Sequence, residues 1–396
     1  MKFSVLIPTR NRLEYLKLAV ESVRRQDFAD WEIVISDNCS EQDIGGYVSS
    51  LADPRIVYAR TEQSLPVTEN WNRALAMSSG EYVVMLGDDD ALLEGYFNSA
   101  SKLIDEFDEP DLIYTKAVLF TYPGVDPGRP EGFANEHGCA EFFVGADAPF
   151  MLDRQRAVAV VQAAMRFRLR YDFNAQFALI SRRLIGEVQR HGDFYQSDFP
   201  DYYSMNAAFL KAKRIVVDPD PRVLIGVTPK SYGFYHVNSK EGEGRDFLAG
   251  GTAAPSTGTN INVGWLSAMS TLERRFGREF GLKVDRRRYR LVQAAYVHER
   301  FRMGLLGIED VRRLERELPP LERWAYRLIG ATIRLMYRIL PESVRKRTTQ
   351  LAHRTVGQIP EVHPASLEGR FANALEVCDA LGAKASAGRV PVASGE

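Results

Sequence analysis

Apolar residues in the first third of the chain follow two alternating spacings. Short runs in which every second residue is apolar predict strands, and stretches with apolar residues three and four positions apart predict helices. The predicted strands are Phe3–Ile7, Glu32–Ser36, Arg55–Tyr58, Tyr82–Leu86 and Leu112–Thr115, and the predicted helices are Leu13–Arg25, Glu41–Leu51, Thr68–Met77 and Leu93–Phe107. Such alternation predicts an α/β fold whose mostly parallel sheet is sandwiched by helices.

The pattern becomes less regular after residue 120. Residues 120–150 are rich in proline, glycine and aspartate, and we interpret them as a long loop. Helical spacing then returns in three segments, and two short apolar runs separated by Asp218–Pro221 predict a hairpin. The predicted helices are Arg154–Phe167, Arg182–His191 and Tyr202–Leu210, and the predicted hairpin strands are Arg214–Val217 and Arg222–Val227.

The last third of the chain begins with a segment of different composition. Residues 238–264 are rich in glycine, serine, threonine and alanine, which is typical of a flexible lid or linker. Helical spacing dominates beyond it. We therefore expect a catalytic unit at 1–237 (divided into 1–120 and 121–237), a lid or linker at 238–264, an all-helical C-terminal extension at 265–382 and a disordered tail at 383–396.

Composition narrows the class of protein. The hydrophobic fraction of 45% and charged fraction of 26% are typical of a soluble globular protein. A net charge of -1 argues against nucleic acid as a partner. The three scattered cysteines, Cys39, Cys139 and Cys378, favour a reducing compartment. No apolar run approaches the ~18–20 residues that span a bilayer. We therefore expect a cytoplasmic location.

Charge is unevenly distributed along the chain. Residues 1–270 contain 27 Lys and Arg against 37 Asp and Glu, whereas residues 271–354 contain 21 against 10. Within the basic part, Leu321–Leu340 has apolar residues at helical spacing, including Trp324, with arginines between them. Such a helix can lie on an anionic membrane surface, here the inner face of the cell membrane. It can equally pack against the catalytic unit or against a second copy in a homodimer.

Polar residues that could carry chemistry follow three of the predicted strands. Pro8-Thr9-Arg10-Asn11-Arg12 follows the first strand, and Asp37-Asn38 follows the second. In the first of these segments Thr9, Arg10 and Asn11 offer polar groups to a ligand. Ligands of open α/β sheets bind at the carboxyl ends of the strands, so these segments are candidate binding loops. A carboxylate at Asp37 could accept the imide N–H of a uracil-like base or a ribose hydroxyl.

The third loop is acidic. Asp88, Asp89 and Asp90 follow the apolar run that ends at Leu86, and three adjacent carboxylates repel one another by ~4 kcal/mol per pair at ~4 Å. A bound cation would relieve this repulsion. Oxygen-only ligands suit Mg²⁺ or Mn²⁺, which commonly bridge carboxylates to substrate phosphates.

Three sequence stretches together resemble a known family. "SVLIPTRNR", "EIVISDNCS" and "NWNRALAMSSGEYVVMLGDDDAL" resemble family 2 glycosyltransferases with the A-type nucleotide-sugar fold, in that family's order and spacing over residues 3–107. The resemblance implies a Rossmann-related, GT-A-like fold. It also implies a hexosyltransferase-type enzyme that moves a sugar from a nucleotide diphosphate, favoured as UDP with dTDP or GDP open, to a hydroxyl of a glycan or lipid-linked acceptor.

The resemblance also implies roles for single residues. The family's Asp-x-Asp motif aligns with the acidic loop, which favours Asp89 as metal ligand with Asp88 near the ribose, while Asp88-x-Asp90 is an equally literal match. The metal-site candidates are Asp89, Asp90 and His236, and the ion is Mn²⁺ or Mg²⁺. The donor-binding candidates are Pro8, Thr9, Arg10, Asn11, Asp37, Asn38, Asn70, Asn72, Arg73 and Asp88.

The segment "SDFPDYYSM" resembles the family's acceptor side, where an acidic residue at the start of a helix acts as general base. Asp201 holds that place and Asp198 is the alternative. An inverting transfer needs one carboxylate to take the proton of the acceptor hydroxyl.

Other enzyme classes fit the sequence less well. A dinucleotide-binding oxidoreductase needs Gly-x-Gly-x-x-Gly after a strand, and the Gly242-x-Gly244 pair lacks the third glycine. A sugar-phosphate nucleotidyltransferase needs a glycine-rich first loop, and the loop after Ile7 has no glycine. A nucleotide-sugar-binding protein without catalytic activity stays open as an alternative, although Asp201 argues against it.

Overall fold

The computed structural model describes residues 1–138, 140–231, 234, 261–302, 304, 306–341, 366–367 and 370–386. Strands are β1 (Phe3–Thr9), β2 (Trp31–Asp37), β3 (Ile56–Arg60), β4 (Tyr82–Met85), β5 (Ala91–Leu92), β6 (Leu112–Thr121), β7 (Phe133–His137), β8 (Phe150–Met151), β9 (Ala178–Ser181), β10 (Ile215–Val227) and β11 (Ser366–Leu367). Helices in the first part of the chain are α1 (Leu13–Arg24), α2 (Ile44–Leu51), α3 (Val67–Met77), α4 (Tyr96–Glu106), α5 (Arg154–Met165), α6 (Arg182–Gln189) and α7 (Pro200–Lys211). The later helices are α8 (Ile261–Phe280), α9 (Arg286–Arg302), α10 (Ile308–Glu317), α11 (Pro320–Ile339) and α12 (Ala374–Ser386).

The strands form one mixed sheet in which the longest ladders are parallel. Its order is β11-β7-β6-β9-β4-β1-β2-β3, and β10 pairs with β5, β6 and β8. Strands β3, β2, β1 and β4 run parallel to one another, whereas β9 is antiparallel to both β4 and β6. The α/β fold predicted from the sequence, with a mostly parallel sheet and a helical C-terminal region, is confirmed. The prediction that residues 265–382 are all helical is wrong, because Ser366–Leu367 form strand β11, which pairs with β7.

The central strands are buried because helices cover the sheet. Val5, Leu6 and Ile7 of β1 and Ile33 and Val34 of β2 have no exposed surface. Continuous runs of β-branched and apolar residues are typical of parallel strands that are covered on both faces. The parallel arrangement brings the carboxyl ends of β1, β2 and β4 to one edge of the sheet, where the polar loops begin.

The predicted hairpin at 214–227 is wrong. Residues Ile215–Val227 form one strand, β10, which runs parallel to β6 along its whole length. The prolines that suggested a turn lie at register shifts between Asp218 and Val223. A proline cannot donate to a ladder hydrogen bond, and a bulge accommodates it without ending the strand.

Other boundaries also differ from the prediction. The interval read as a loop at 120–150 contains the end of β6 together with β7 and β8. Residues 261–264, which the composition placed in the lid or linker, begin helix α8, and residues 383–386, which it placed in the tail, end helix α12. The remainder of the predicted lid (238–260) and tail (387–396) lies outside the described residues.

The C-terminal helices belong to different parts of the hydrophobic interior. Trp265, Met269 and Phe276 of α8 pack in the same core as the central strands. Helices α9 to α11 enclose a smaller core that contains Val297 and Tyr326. None of the helices in the described part of the chain is long and apolar enough to cross a membrane.

Candidate active site

A cleft of about 550 Å³ lies where the loops after β1, β2 and β4 meet the first turn of α7 and the end of β10. Most of the residues predicted from the sequence contribute to its wall. Those that line it are Pro8, Thr9, Arg10, Asn11, Asn38, Asn70, Asp88, Asp89, Asp90 and Asp201. The fold therefore brings together three strand-end loops and a helix start that are distant in the sequence.

Two buried donors hold Asp88, the first residue of the acidic loop. Its Oδ1 accepts a hydrogen bond from Nη1 of Arg12 at 2.8 Å, and its Oδ2 accepts one from Oγ1 of Thr9 at 2.7 Å. Thr9 ends β1 and Arg12 lies in the loop after it, and β1 is adjacent to β4 in the sheet. Both oxygens of Asp88 are therefore used in fixing one strand-end loop to the next.

Arg12 is a site residue that the sequence analysis did not identify. It is buried, and its Nη1 lies 3.5 Å from Oδ2 of Asp89 in addition to its bond with Asp88. Burial alone would lower the pKa of Arg12, but the charges of Asp88 and Asp89 outweigh that effect and raise its pKa. A fixed guanidinium therefore offsets part of the repulsion for which the sequence analysis invoked only a metal ion.

Asp89 and Asp90 are held differently. Oδ2 of Asp89 accepts from Thr228 Oγ1 at 3.1 Å, while its Oδ1 accepts no hydrogen bond from the described residues. Asp90 uses both oxygens, because Oδ1 accepts from the Gly226 amide at 2.8 Å and Oδ2 accepts from Gln176 Nε2 at 3.0 Å. Burial raises the pKa of Asp89 and of Asp90, and a neighbouring carboxylate contributes to each shift.

The loop after β1 adopts a conformation that is uncommon for a residue other than glycine. Asn11 has φ of 55°, a left-handed conformation that asparagine tolerates better than most residues. Its Oδ1 accepts from the Glu41 amide at 2.7 Å, and its own amide donates to Ser40 Oγ at 2.9 Å. Asn11 therefore ties the first binding loop to the second.

Asp37 is fully buried at the end of β2 and is not among the residues that line the cleft. Its Oδ1 accepts from the Ser40 amide at 3.0 Å and its Oδ2 from the Tyr58 hydroxyl at 2.9 Å. The neighbouring Asn38 does line the cleft and forms two side-chain bonds with the backbone of Leu65. The direct contact of Asp37 with a base stays a prediction.

Asn70, Asn72 and Arg73 on α3 make structural contacts beside the cleft. Oδ1 of Asn70 accepts from Ser36 Oγ at 2.7 Å, and Nη1 of Arg73 donates to the same hydroxyl at 2.7 Å. The side-chain amide of Asn72 donates to the Tyr195 carbonyl through Nδ2 and accepts from the Tyr195 amide through Oδ1. Only Asn70 of these three lines the cleft.

Asp201 lies in the first turn of α7, directly after Pro200 at the start of that helix. Burial raises the pKa of Asp201 to about 7, and the charge of Asp172 adds to the shift. The alternative base, Asp198, is not among the cleft-lining residues, although burial also raises its pKa. His236 lies outside the described residues.

The sequence analysis also missed the cleft residues from β9, β10 and their approaches. Gln176, Gly226, Lys230 and Ser231 line the cleft, and Thr228 holds Asp89 from beside it. One signal was available, because Thr228 and Lys230 directly follow the apolar strand that ends at Val227. The predicted hairpin concealed this signal, because a strand paired in a hairpin would not place Thr228 and Lys230 beside the acidic loop.

The acidic loop offers one carboxylate that fits a divalent cation. Within the described ranges, no three Asp, Glu, His or Cys side chains converge as a metal-binding cluster. Mg²⁺, however, is often bound by one or two carboxylates together with substrate phosphates. Asp89 fits that mode, because its Oδ1 is the one carboxylate oxygen of the three aspartates that receives no hydrogen bond from the described residues.

Part of the chain is similar in sequence to known glycosyltransferases. Residues 4–168 match the sequence profile described as "Glycosyl transferase family 2". The chain is 37% identical over 89 residues to "Putative colanic acid biosynthesis glycosyl transferase WcaA" of Escherichia coli strain K12. The aligned stretch covers 22% of this chain and 32% of that protein. The chain is also 38% identical over 108 residues to "GalNAc(5)-diNAcBac-PP-undecaprenol beta-1,3-glucosyltransferase" of Campylobacter jejuni. This second alignment covers 26% of this chain and 35% of that protein.

These matches are partial. The chain spans about a third of the length of the curated relatives it matches. Among solved structures, S. aureus TarS 1-349 in complex with UDP-GlcNAc aligns with a TM-score of 0.46 at 16% identity, over 85% of this chain and 92% of that one.

Proposed function

We propose that the protein transfers a sugar from a nucleotide diphosphate to an acceptor hydroxyl, with inversion, and the match of residues 4–168 to the profile of glycosyl transferase family 2 supports this proposal. The observation that carries the proposal is one cleft lined by both the acidic loop, Asp88–Asp90, and the carboxylate of Asp201. The acidic loop suits the diphosphate side of the reaction, and the carboxylate of Asp201 suits removal of the proton from the acceptor hydroxyl.

Asp201 supplies the base in this proposal. A general base works best when its pKa is close to the operating pH, and the pKa of Asp201 is raised to about 7. In its ionised form it would accept the proton of the acceptor hydroxyl while that oxygen attacks the sugar carbon. The bond from that carbon to the diphosphate breaks, and the nucleotide diphosphate leaves.

The acidic loop and its neighbours would hold the donor. Asp89 would bind a divalent cation, Mn²⁺ or Mg²⁺, whose charge offsets that of the diphosphate. Arg10 and Lys230 line the same cleft, and each carries a positive charge that suits phosphate. Pro8, Thr9 and Asn38 would surround the nucleoside, with Asp37 shaping this pocket from behind through Ser40 and Tyr58. UDP is the favoured nucleotide.

The name of one relative supports the proposed class of acceptor. The Campylobacter jejuni protein is named for glucosyl transfer involving an undecaprenol-diphosphate-linked glycan. A glycan or lipid-linked hydroxyl is the corresponding proposal for this chain, and the family resemblance favours a hexose as the transferred sugar.

A thermal-shift screen with UDP-, dTDP- and GDP-sugars, each with and without Mn²⁺, tests the donor. A ligand present at 100 times its Kd stabilises a fold by about 2.7 kcal/mol, which is measurable as a rise in Tm. We expect a UDP-sugar to raise the Tm with Mn²⁺ and to do so less after chelation. Asp89→Asn should lose the Mn²⁺ dependence, whereas Asp147→Asn on an exposed loop should keep it.

Nucleotide release separates an enzyme from a binding protein. With a donor that gives a thermal shift, the parent protein should release the nucleotide diphosphate when an acceptor is supplied, and Asp201→Asn should bind the donor without releasing it. A shift with every nucleotide sugar but no release from the parent under any acceptor would contradict the proposed transfer. Absence of any shift would contradict donor binding itself.

A further inference from the structure

Helix α11, Pro320–Ile339, is attached to the molecule by one face. The Tyr326 hydroxyl donates to the Val311 carbonyl at 3.0 Å, and a ring nitrogen of His298 lies 3.1 Å from the Tyr326 carbonyl. Gly330 packs so close to the His298 ring that a Cβ there would lie 2.3 Å from it. Arg290 of α9 pairs with Glu322 at 2.6 Å. This face fixes the helix, and its orientation, against α9 and α10.

A second face of the same helix is apolar and exposed. Its large side chains follow one another at intervals of three, four and seven residues, which places them in one stripe along the helix. The exposed fractions are 83% for Leu321, 64% for Trp324, 56% for Leu328, 57% for Leu335 and 65% for Ile339. A contiguous apolar patch of this kind marks a site of interaction, unlike single apolar residues scattered over a surface. We call these five residues the apolar stripe.

Positive charge borders the apolar stripe. Arg323, Arg327, Arg334 and Arg338 lie along one side of it by helical spacing, between the stripe and the packed face. Arg334 and Arg338 form no ion pair or hydrogen bond with the described residues. The single acidic residue of the helix, Glu322, is already paired with Arg290 on the packed face. Arg327 pairs with Glu315 of α10 at 2.6 Å. The positive charge beside the stripe is therefore compensated at Arg327 but not at Arg334 and Arg338.

We propose that the apolar stripe and its bordering arginines bind the surface of an anionic lipid bilayer, with α11 lying in the plane of the interface. The apolar side chains would enter the acyl boundary, and the arginines would meet the lipid phosphates, which is how basic amphipathic helices bind membranes. The helix is too polar to cross the bilayer. This inference does not depend on the proposed transferase activity.

Charge favours lipid over a second copy of the chain. A two-fold symmetric pair of α11 helices would place the same residues of both copies in one interface. In an antiparallel pair, the arginines that border one stripe would lie on the same side of the interface as those of the other, and like charges so placed cost affinity. An anionic bilayer has the complementary charge. The wider sequence agrees, because residues 271–354 carry 21 basic against 10 acidic side chains.

The fluorescence of Trp324 reports directly on contact between the apolar stripe and lipid. It is the most exposed of the tryptophans, since Trp31 is fully buried, Trp265 is 8% exposed and Trp71 is partly buried beside the cleft. The full chain should be mixed with vesicles of phosphatidylcholine containing 0 or 50% phosphatidylglycerol. With anionic vesicles we expect a blue shift of tryptophan emission and quenching by brominated acyl chains, both absent in Trp324→Phe, which should still float with the vesicles.

Vesicle flotation measures the affinity. Each basic residue near an anionic leaflet contributes about fivefold to partitioning, so Arg334→Glu/Arg338→Glu should lower it roughly 25-fold or more. Leu328→Glu should also release the protein. The matched controls are Arg190→Glu, directly after α6, and Val144→Glu, both exposed residues far from α11 in the sequence, and they should float like the parent. Binding should weaken as salt rises.

Two results would overturn the proposal. One is absence of flotation with 50% phosphatidylglycerol at low salt while the thermal transition shows folded protein. The other is a lipid-independent blue shift of Trp324 emission that grows with protein concentration and disappears in Leu328→Glu, which would assign the apolar stripe to a dimer interface. Because neither readout uses a nucleotide sugar, failure here leaves the proposed transfer to be judged by its own experiment.

Discussion

The carboxylates of the cleft differ in how the protein holds them. Asp88 and Asp90 are engaged through both oxygens, whereas Asp89 has one oxygen without a hydrogen bond from the described residues. Asp201 instead lies at the start of α7, where burial raises its pKa to about 7. At the scale of residues, therefore, the protein holds the same side chain in three ways: bonded through both oxygens, bonded through one oxygen, and with its pKa raised to about 7.

Asp201→Asn tests the base. We expect turnover to fall by ~10²–10⁴-fold with little change in donor affinity, since an amide cannot take the proton. In the parent, kcat should rise with pH through about 7, because the ionised carboxylate is the active form. Steady-state kinetics between pH 5 and 9 measures both effects. Asp198→Asn is the control, and a loss of turnover in it but not in Asp201→Asn would transfer the role to Asp198.

Replacement of Asp201 should also alter stability. Its folded pKa lies above its value in the unfolded chain, so the folded parent binds the proton more tightly and loses stability as pH rises from about 4 to about 7. Asp201→Asn has no such proton. The free energy of unfolding of the variant, relative to the parent, should therefore increase over that interval in urea titrations. A difference that is constant with pH would show that the pKa of Asp201 is the same in the folded and unfolded chain.

Arg12→Met tests the internal cation of the acidic loop. Removing one partner of a buried charge cluster typically costs about 3–5 kcal/mol, because the remaining charges are left uncompensated. The loss in free energy of unfolding should be greatest at high pH and should shrink as pH falls and the loop aspartates take up protons. Chemical denaturation at several pH values measures it, with Arg10→Met, an exposed neighbour, as the control. Equal effects of the two substitutions would contradict this role of Arg12.

The residues that sequence reasoning missed share one property. Arg12 meets Asp88 across 76 positions, Gln176 meets Asp90 across 86 and Thr228 meets Asp89 across 139. Local spacing carries no information about such pairs, because they arise only when strands that are distant in the chain become neighbours. The loops themselves were predictable, since each directly follows an apolar strand and parallel strands bring their carboxyl ends together.

At the scale of elements, β10 shows why a correct local signal can give a wrong element. Asp218-Pro219-Asp220-Pro221 has the composition of a turn, and it does disturb the ladder with β6. The strand nevertheless continues, because Ile215–Val217 and Val223–Ile225 both find partners along the long strand β6. Tertiary pairing overrides the local preference here. As a consequence, the far end of β10 reaches the acidic loop, where the Gly226 amide donates to Asp90 at 2.8 Å.

Gly226→Ala tests that contact. A Cβ at Gly226 would lie 1.9 Å from the Asp89 carbonyl oxygen, a backbone atom, so either β10 or the acidic loop must move. We expect lower stability and at least tenfold weaker donor binding, measured by calorimetry with the nucleotide sugar. Gly186→Ala is the matched control, because nothing lies near its added Cβ and alanine favours the helix it occupies. Unchanged donor binding in Gly226→Ala would show that the loop tolerates displacement.

At the scale of the whole molecule, the described residues divide into cores of unequal size. The largest contains the sheet together with Trp265 and Phe276 of α8, and Trp265 also bonds the Ala164 carbonyl at 3.1 Å. A smaller core lies between α9, α10 and α11 and contains Val297, Leu318 and Tyr326. Helix α8 thus supports α7 and Asp201, whereas α11 carries the proposed membrane face on a smaller apolar base.

This division predicts two steps of unfolding. A small apolar core buries less surface and is expected to open at lower free energy than the sheet, even though Tyr289 of α9 also touches the larger core. Leu318→Ala and Leu6→Ala each remove the same buried atoms, at a cost of about 2–5 kcal/mol. The first should lower only the earlier thermal transition and speed amide exchange within 286–339, while the second should lower the later transition. Donor binding should stabilise the later transition alone, since the cleft belongs to the larger core. A single transition that both substitutions shift equally would mean that the helices and the sheet unfold as one unit, and α11 would then be a rigid part of the catalytic core.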